Sequence, residues 1–391
     1  MGTALRVGYR RAEARANLLT WEPSKGCLKG FASPFGSPRD KCESEALYWA
    51  PMRKAIPSPN LTAVLALAAL ADLLLYRLAS HVFLPSQPTW GVARVLADIG
   101  LFMSNLGGVL GVVLVATVLS RALRGDTIFP HSMRITVSSI GLFFVLLATA
   151  GVLALPVPDR FVSYLRISHA FLAGFVAAGL WHRRCPIRLK LAVTLFAAPI
   201  VLQTATMFCQ RMGWSASLVG QGGRTAQAST FLALLLSGVL ISPRPRRGLQ
   251  VAVMLGAGLI SLALLALAMV RYFGLAQVVA LYGLHFDLPV TAGVVGKLYA
   301  AMVMAAYVSA TVAGAACLTG DAASRLLAYG VVLLATAGHQ IEATNQTLFS
   351  LCGLCALALG AVRLGDVAVA GAARGSAAPS DPLSHQAHED T

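Results

Sequence analysis

Charge is what this chain has least of. Asp, Glu, Lys and Arg make up only 12% of its 391 residues, and the acids number 16 against 31 bases. Soluble domains carry about 25% charged residues, so a water-soluble fold of this size would lack the polar cover its surface needs. Cysteine is sparse as well. The seven thiols (Cys27, Cys42, Cys185, Cys209, Cys317, Cys352 and Cys355) are odd in number and fall mostly inside apolar runs, which excludes a disulfide framework. The phosphate-cradling P-loop, the Rossmann glycine fingerprint, the G-x-S-x-G elbow and H-E-x-x-H are all missing. The net charge of +15 would suggest nucleic acid in a soluble protein, but no basic face interleaved with aromatics and no nucleic-acid module accompanies it. Nucleic acid is therefore excluded as a partner.

Hydrophobic residues are what the chain does have: they form 57% of it, with a mean hydropathy of +0.71. They come in runs of spanning length, over 61–84, 95–120, 135–156, 162–181, 190–209, 226–242, 250–272, 292–318, 325–341 and 346–363. A bilayer core takes about 20 helical residues, and in lipid the backbone must satisfy its own hydrogen bonds. The expected fold is an all-α polytopic transmembrane bundle of about ten spanning helices. An eleventh is added if 275–290, which carries His285, Asp287 and Pro289, also crosses.

The connections set the orientation. Arg121, Arg124 and Arg134 flank one, Arg183, Arg184, Arg188 and Lys190 another, and Arg244, Arg246 and Arg247 a third, while the alternate connections are poorer in cations. Cytoplasmic loops hold the excess of Lys and Arg, so the even-numbered connections and the N-terminus are expected in the cytoplasm. The protein is expected to be integral to a bacterial cytoplasmic membrane. Residues 1–58 are basic, rich in Gly and Pro, and lack a signal-peptide core. They read as a disordered or mis-annotated extension, with translation starting at Met52. Residues 59–366 form the membrane domain, and 367–391 a disordered tail of Ala, Ser, Pro and acid.

An ionisable group in hydrocarbon costs about 2.5–3.5 kcal/mol or more, so such groups mark where function would sit. Asp72, Arg77 and His81 occupy the first run, with Arg77 and His81 four apart on one face and Asp72 in need of a partner from another helix. Asp98 and Asn105 align in the second, and Ser163, Arg166 and His169 recur every third residue in the fourth, reading as one stripe. His339, Gln340, Glu342, Asn345 and Gln346 join the last two runs, and His339, Glu342 and Gln346 share a face if one helix continues through them. The candidate intramembrane polar site is thus Asp72, Arg77, His81, Asp98, Asn105, Arg166, His169, His339 and Glu342. In the ten-helix topology Arg77, His81, Asp98, Arg166, His169, His285, Asp287 and the His339–Gln346 run gather toward the outer half of the membrane.

Each has a structural alternative. Arg77, His81 and Arg166 could reach the headgroups by snorkelling, Asn105 could bond a neighbouring helix, and the His339–Gln346 run could be a polar loop. His339-x-x-Glu342 lacks the third ligand a metal site needs, and no cofactor is specified. Cys352-x-x-Cys355 has no surrounding redox fold. No internal repeat is legible, although an inverted five-plus-five repeat is open to helices of this number. The functional expectation is a transporter or permease of a small or amphiphilic molecule. The alternatives are an enzyme acting at the outer leaflet on a lipid-linked substrate through Asp98, His169, His339, Glu342 and Arg166, and a non-catalytic subunit of a membrane complex. Membrane lipid and an unidentified small molecule or lipid are the expected partners.

Overall fold

The computed structural model describes residues 59–74, 131–153, 160–243, 248–272, 294–338 and 343–376, with isolated positions at 95, 109, 112, 113, 116, 129 and 155. Among these residues there is no strand. Nine helices are described: α1 (Pro59–Ala71), α2 (His131–Val152), α3 (Phe161–Trp181), α4 (Ile187–Arg211), α5 (Ala216–Leu240), α6 (Gly248–Tyr272), α7 (Val294–Leu318), α8 (Ala322–Ala337) and α9 (Ala343–Ser376). Six of them, α2, α3, α4, α6, α7 and α9, are long and apolar enough to cross a membrane. The ten spans expected from the sequence therefore reduce, among the described residues, to six that meet both criteria of length and composition.

Of the four runs that drop out, 61–84 is described only as far as 74 and 95–120 only at isolated positions, and the loss of the other two has physical causes. Helix α8 is apolar, but its 16 residues fall short of a full bilayer core. It lies inside the bundle, with every residue from Leu326 to Ala337 buried. Helix α5 is long enough at 25 residues, but its first half carries Gln221, Arg224 and Gln227 among three glycines. It begins at Ala216 rather than at the expected 226. The glycines that dilute its hydropathy are contact surface: a Cβ at Gly222 would come within 2.6 Å of Thr206 Oγ1 on α4. Helix α9 runs on to Ser376, past the end expected at 363. The region 275–290 lies outside the described residues.

Local signals explain several boundaries. Asp321 caps α8, its carboxylate accepting from the Ser324 N–H at 2.8 Å, a bond typically worth about 1 kcal/mol. Gly213, at φ +78°, ends α4 in the left-handed region where glycine carries no Cβ penalty. Pro199 interrupts the hydrogen-bond ladder within α4.

Helices α3, α4, α5, α7, α8 and α9 pack in that order into a closed ring, α9 returning to α3. Helix α2 packs outside α3, α6 outside α7, and α1 against α8 and α7. Sequential neighbours run antiparallel, as at Phe144–His169, Ser163–Arg211 and Gly314–Val332. Two ring contacts are parallel. Ser309 bonds across to Leu235 and Gly238 while Cys317 meets Ile241, which aligns α7 with α5. His169 meets Ser350 while Gly365 lies against Arg184, which aligns α3 with α9. Helices α2–α5 and α6–α9 consequently repeat one pattern of adjacency and direction: in each half the last helix packs in parallel on the second helix of the other half. This repeat is four-plus-four and parallel, unlike the inverted repeat considered from the sequence.

Apolar side chains cover the outside of the bundle. Ile135, Leu142 and Leu146 on α2, Val239 on α5, and Leu249, Leu255 and Leu259 on α6 are each more than 60% exposed. A soluble protein does not display such stripes, whereas lipid accommodates them. Inside, helix contact rests on small residues, because burial from lipid provides little drive. Ala306, Ala310 and Ala313 on α7 are fully buried. At the α8–α9 crossing, a Cβ on Gly353 would lie 2.8 Å from the Gly330 carbonyl oxygen. The protein is an all-helical bundle with the apolar exterior of an integral membrane protein.

Candidate functional site

The antiparallel packing puts the start of α3, the end of α4, the start of α5, the end of α8 and the start of α9 at one end of the bundle. The opposite end carries the α3–α4 connection with Arg183, Arg184, Arg188 and Lys190, together with Arg325 and Arg363. At that basic end, Lys190 donates to the Trp181 carbonyl at 3.1 Å and lies 5.5 Å from the centre of the Trp181 ring. Cys185 sits in this connection, outside the membrane-spanning helices. Burial pushes its thiol above the usual 9.0, with Lys190 acting in the opposite direction and Asp366 reinforcing the rise.

The polar groups at the other end fall into two adjoining clusters. The first joins α3, α4 and α9. His169 is buried, its Nε2 2.9 Å from the Ser350 hydroxyl, which also lies 2.9 Å from the Gln346 carbonyl within its own helix. The Phe144 ring closes over His169 at 6.2 Å between centroids. One turn earlier, the half-buried Arg166 donates to Met207 Sδ at 3.1 Å, and its carbonyl accepts from Thr204 Oγ1 at 3.3 Å. Arg211 bonds the hydroxyl of buried Ser163.

These contacts correct the reading of Ser163, Arg166 and His169 as one stripe. Steps of three residues fall about 60° short of a full helical turn each time. The row therefore winds around α3. Ser163 and Arg166 face α4, whereas His169 faces α9. Arg166 is directed to Met207 on a neighbouring helix and does not simply snorkel.

The second cluster is a cavity of about 90 Å³ between α4, α5, α7, α8 and α9. Phe231, Leu234 and Tyr307 are its buried floor, with Leu334 beside them. Gln203, Gln227, Thr230 and Gln346 supply its polar groups, and Gln203 and Gly338 are the exposed members of the lining. Phe231 and Tyr307 pack with ring centroids 6.2 Å apart. The cavity thus has an apolar floor and an amide-rich rim, and it lies where α4 and α5 of one half meet α7, α8 and α9 of the other. Gln346 links the two clusters, lining the cavity and accepting from Ser350 with its carbonyl.

Three of the nine residues singled out from the sequence can be placed. Arg166 and His169 belong to the α3 cluster. Asp72 is buried in the helical turn that follows α1, which packs on the opposite flank of the ring, so it is not brought together with them. Arg77, His81, Asp98, Asn105, His339 and Glu342 lie outside the described residues. The face that His339, Glu342 and Gln346 would share on a continuous helix runs through 339–342, which lie outside the described residues. Sequence reasoning missed Ser350, Gln227, Thr230 and Tyr307. Gln227, Thr230, Phe231 and Leu234 follow the i, i+3, i+4, i+7 spacing of one helix face, a pattern inside the expected run 226–242 that holds no ionisable side chain to mark it. Among the described residues no three His, Cys, Asp or Glu side chains gather as metal ligands.

No protein-family model, curated protein or solved structure matches this chain. The functional reading therefore rests on its own residues.

Proposed function

We propose that the chain is a permease for a small or amphiphilic molecule in a bacterial cytoplasmic membrane. The observation that carries this reading is the cavity shared by five helices, with its apolar floor, its polar rim and two exposed lining residues, Gln203 and Gly338. Ligand sites in helical membrane proteins lie between helices, and in transporters often at the interface between repeated halves. A scaffolding subunit has no need of such a cavity.

The topology belongs to the same proposal. The connections richest in Lys and Arg face the cytoplasm, as does the N-terminus, and the cavity opens to the other side. Helix α6 ends and α7 begins at the same end of the bundle, since Gln250 bonds Ala316 and Ser261 faces Thr311. This parity favours ten spans over eleven. In this reading residues 59–366 form the membrane domain, with 1–58 and 367–391 as its flanking segments.

The test compares the solute content of right-side-out vesicles from cells producing the protein with vesicles carrying its Gln346→Leu variant at equal abundance. At least one solute is expected to equilibrate faster with the unmodified protein, and the difference should vanish in the variant. Identical profiles across all solutes would remove the permease reading.

The 2.9 Å contact between His169 and Ser350 favours a second reading, as an outer-leaflet enzyme with Ser350 as nucleophile and His169 as base. Against it, both side chains are buried and neither lines the cavity. Covalent labelling of Ser350 by a fluorophosphonate, lost in His169→Phe, would reverse this preference.

A further inference from the structure

We infer that the cavity takes an uncharged molecule with a hydrogen-bonding head and a compact apolar body; this deepens, and rests on, the permease reading. The rim carries Gln203, Gln227, Gln346 and Thr230, and among the described residues the lining includes no side chain that is charged at neutral pH. Arg224, one turn before Gln227 on α5, is not part of the lining, and Arg166 is directed to Met207.

The chemistry of the rim selects the head. Each primary amide donates through its NH₂ and accepts through its carbonyl, and Thr230 can do both. A head that also donates and accepts, such as an amide, urea or hydroxyl, can satisfy both kinds of atom. A carboxylate only accepts and a cation only donates, so either pairs with one kind of atom on each rim group and leaves the other kind without a ligand partner. Leaving desolvated polar groups unmade is costly, and a full charge without a counter-charge costs more still.

The floor selects the body. Phe231, Leu234 and Leu334 offer an apolar surface, with buried Tyr307 beside them. The cavity volume of about 90 Å³ corresponds to about three water molecules at the roughly 30 Å³ each occupies in the liquid. A branched body with a planar polar head, about six heavy atoms in all, displaces a comparable volume.

Three isosteric probes test the inference: isobutyramide, isobutyrate and the isobutyramidinium cation, which share shape and apolar body and differ in charge. Saturation-transfer NMR on the purified full-length protein in detergent reads binding at millimolar ligand without any transport step. Isobutyramide should give at least a tenfold larger saturation effect than either ion. The double variant Gln227→Leu, Gln346→Leu should lose that effect while keeping its helical circular dichroism and its gel-filtration volume. Gln227→Glu, which adds an acceptor-only charge to the rim, should shift the preference toward the amidinium. Stronger binding of either ion to the unmodified protein, equal binding of all three, or no binding of any would overturn the inference. So would an amide signal that survives the double Leu change. Because the assay reads binding alone, selective amide binding without vesicle flux removes the permease reading and leaves the site. Flux with ion-selective binding does the reverse.

Discussion

The α8–α9 crossing is where a single carbon should matter most. Gly330 and Gly353 face each other across it, and a Cβ built on Gly353 meets the Gly330 carbonyl oxygen at 2.8 Å and Leu334 Cγ at 2.7 Å. Ordinary contacts begin near 3.4 Å, so Gly353→Ala must push the helices apart by at least about 0.6 Å at that point. The obstacle is backbone and cannot rotate away. The helices that would separate are the most buried in the bundle, with α9 covered over most of its length and α8 throughout. Overpacking of this kind typically costs about 1–3 kcal/mol. At roughly 2 °C per kcal/mol, the low end of the range for longer chains, the apparent Tm should fall by about 2–6 °C.

Gly174→Ala on α3 and Gly256→Ala on α6 are the controls, since a Cβ there meets nothing within 4 Å. Alanine is the better helix former by up to about 1 kcal/mol, so both should hold or raise the Tm. Retention of the monodisperse gel-filtration peak after heating measures each variant. The pair Gly330→Ala and Gly353→Ala should be strongly sub-additive, because the separation forced by the first accommodates the second. If Gly353→Ala melts with Gly174→Ala, or if the two crossing variants add fully, the close approach of α8 and α9 is wrong.

The remaining predictions probe other parts of the molecule. Ser350→Ala should destabilise by about 1–3 kcal/mol, because it deprives buried His169 of the 2.9 Å contact; thermal unfolding in detergent reads this, and an unchanged Tm would show that His169 is satisfied elsewhere. Cysteines placed by Phe273→Cys and Gly293→Cys, at the end of α6 and the start of α7, should react with an impermeant maleimide from the same side of intact cells; reaction from opposite faces would require an additional crossing between them. Cys185 should alkylate slowly at pH 7 and speed up only above the ordinary thiol value of 9.0, because burial favours its neutral form. The sign for stability follows: the folded state holds that proton more tightly, so its contribution is complete below 9.0 and is lost as pH rises through the raised value. Peptide-resolved mass spectrometry after timed alkylation checks the rate, and rapid labelling at pH 7 would contradict it.

How much of this was legible in the sequence depended on whether hydropathy carried the information. Helices α2, α3, α4, α6, α7 and α9 are long apolar runs, and each was visible with its ends misplaced by a few residues in most cases. Helix α5 was half hidden, because Gly220, Gly222 and Gly223 read as poor helix formers, although Gly222 is what allows α4 to approach. Single positions were harder to interpret. His169 was marked as an unusual intramembrane residue, and it is indeed buried, but its partner Ser350 lies 181 positions away on a helix that carries no charge nearby. A serine in an apolar run is unremarkable until tertiary packing brings a ring nitrogen to it. The search for function began from ionisable residues because charge is expensive in lipid, and that criterion leads away from the cavity, whose rim is made of neutral amides and a hydroxyl. Glutamine can bond a solute while avoiding the desolvation cost of a full charge. On the proposed reading the residues that matter are the neutral ones a charge-based search passes over, and the α5 stripe of Gln227, Thr230, Phe231 and Leu234 stands inside the expected run 226–242 without one ionisable side chain to mark it.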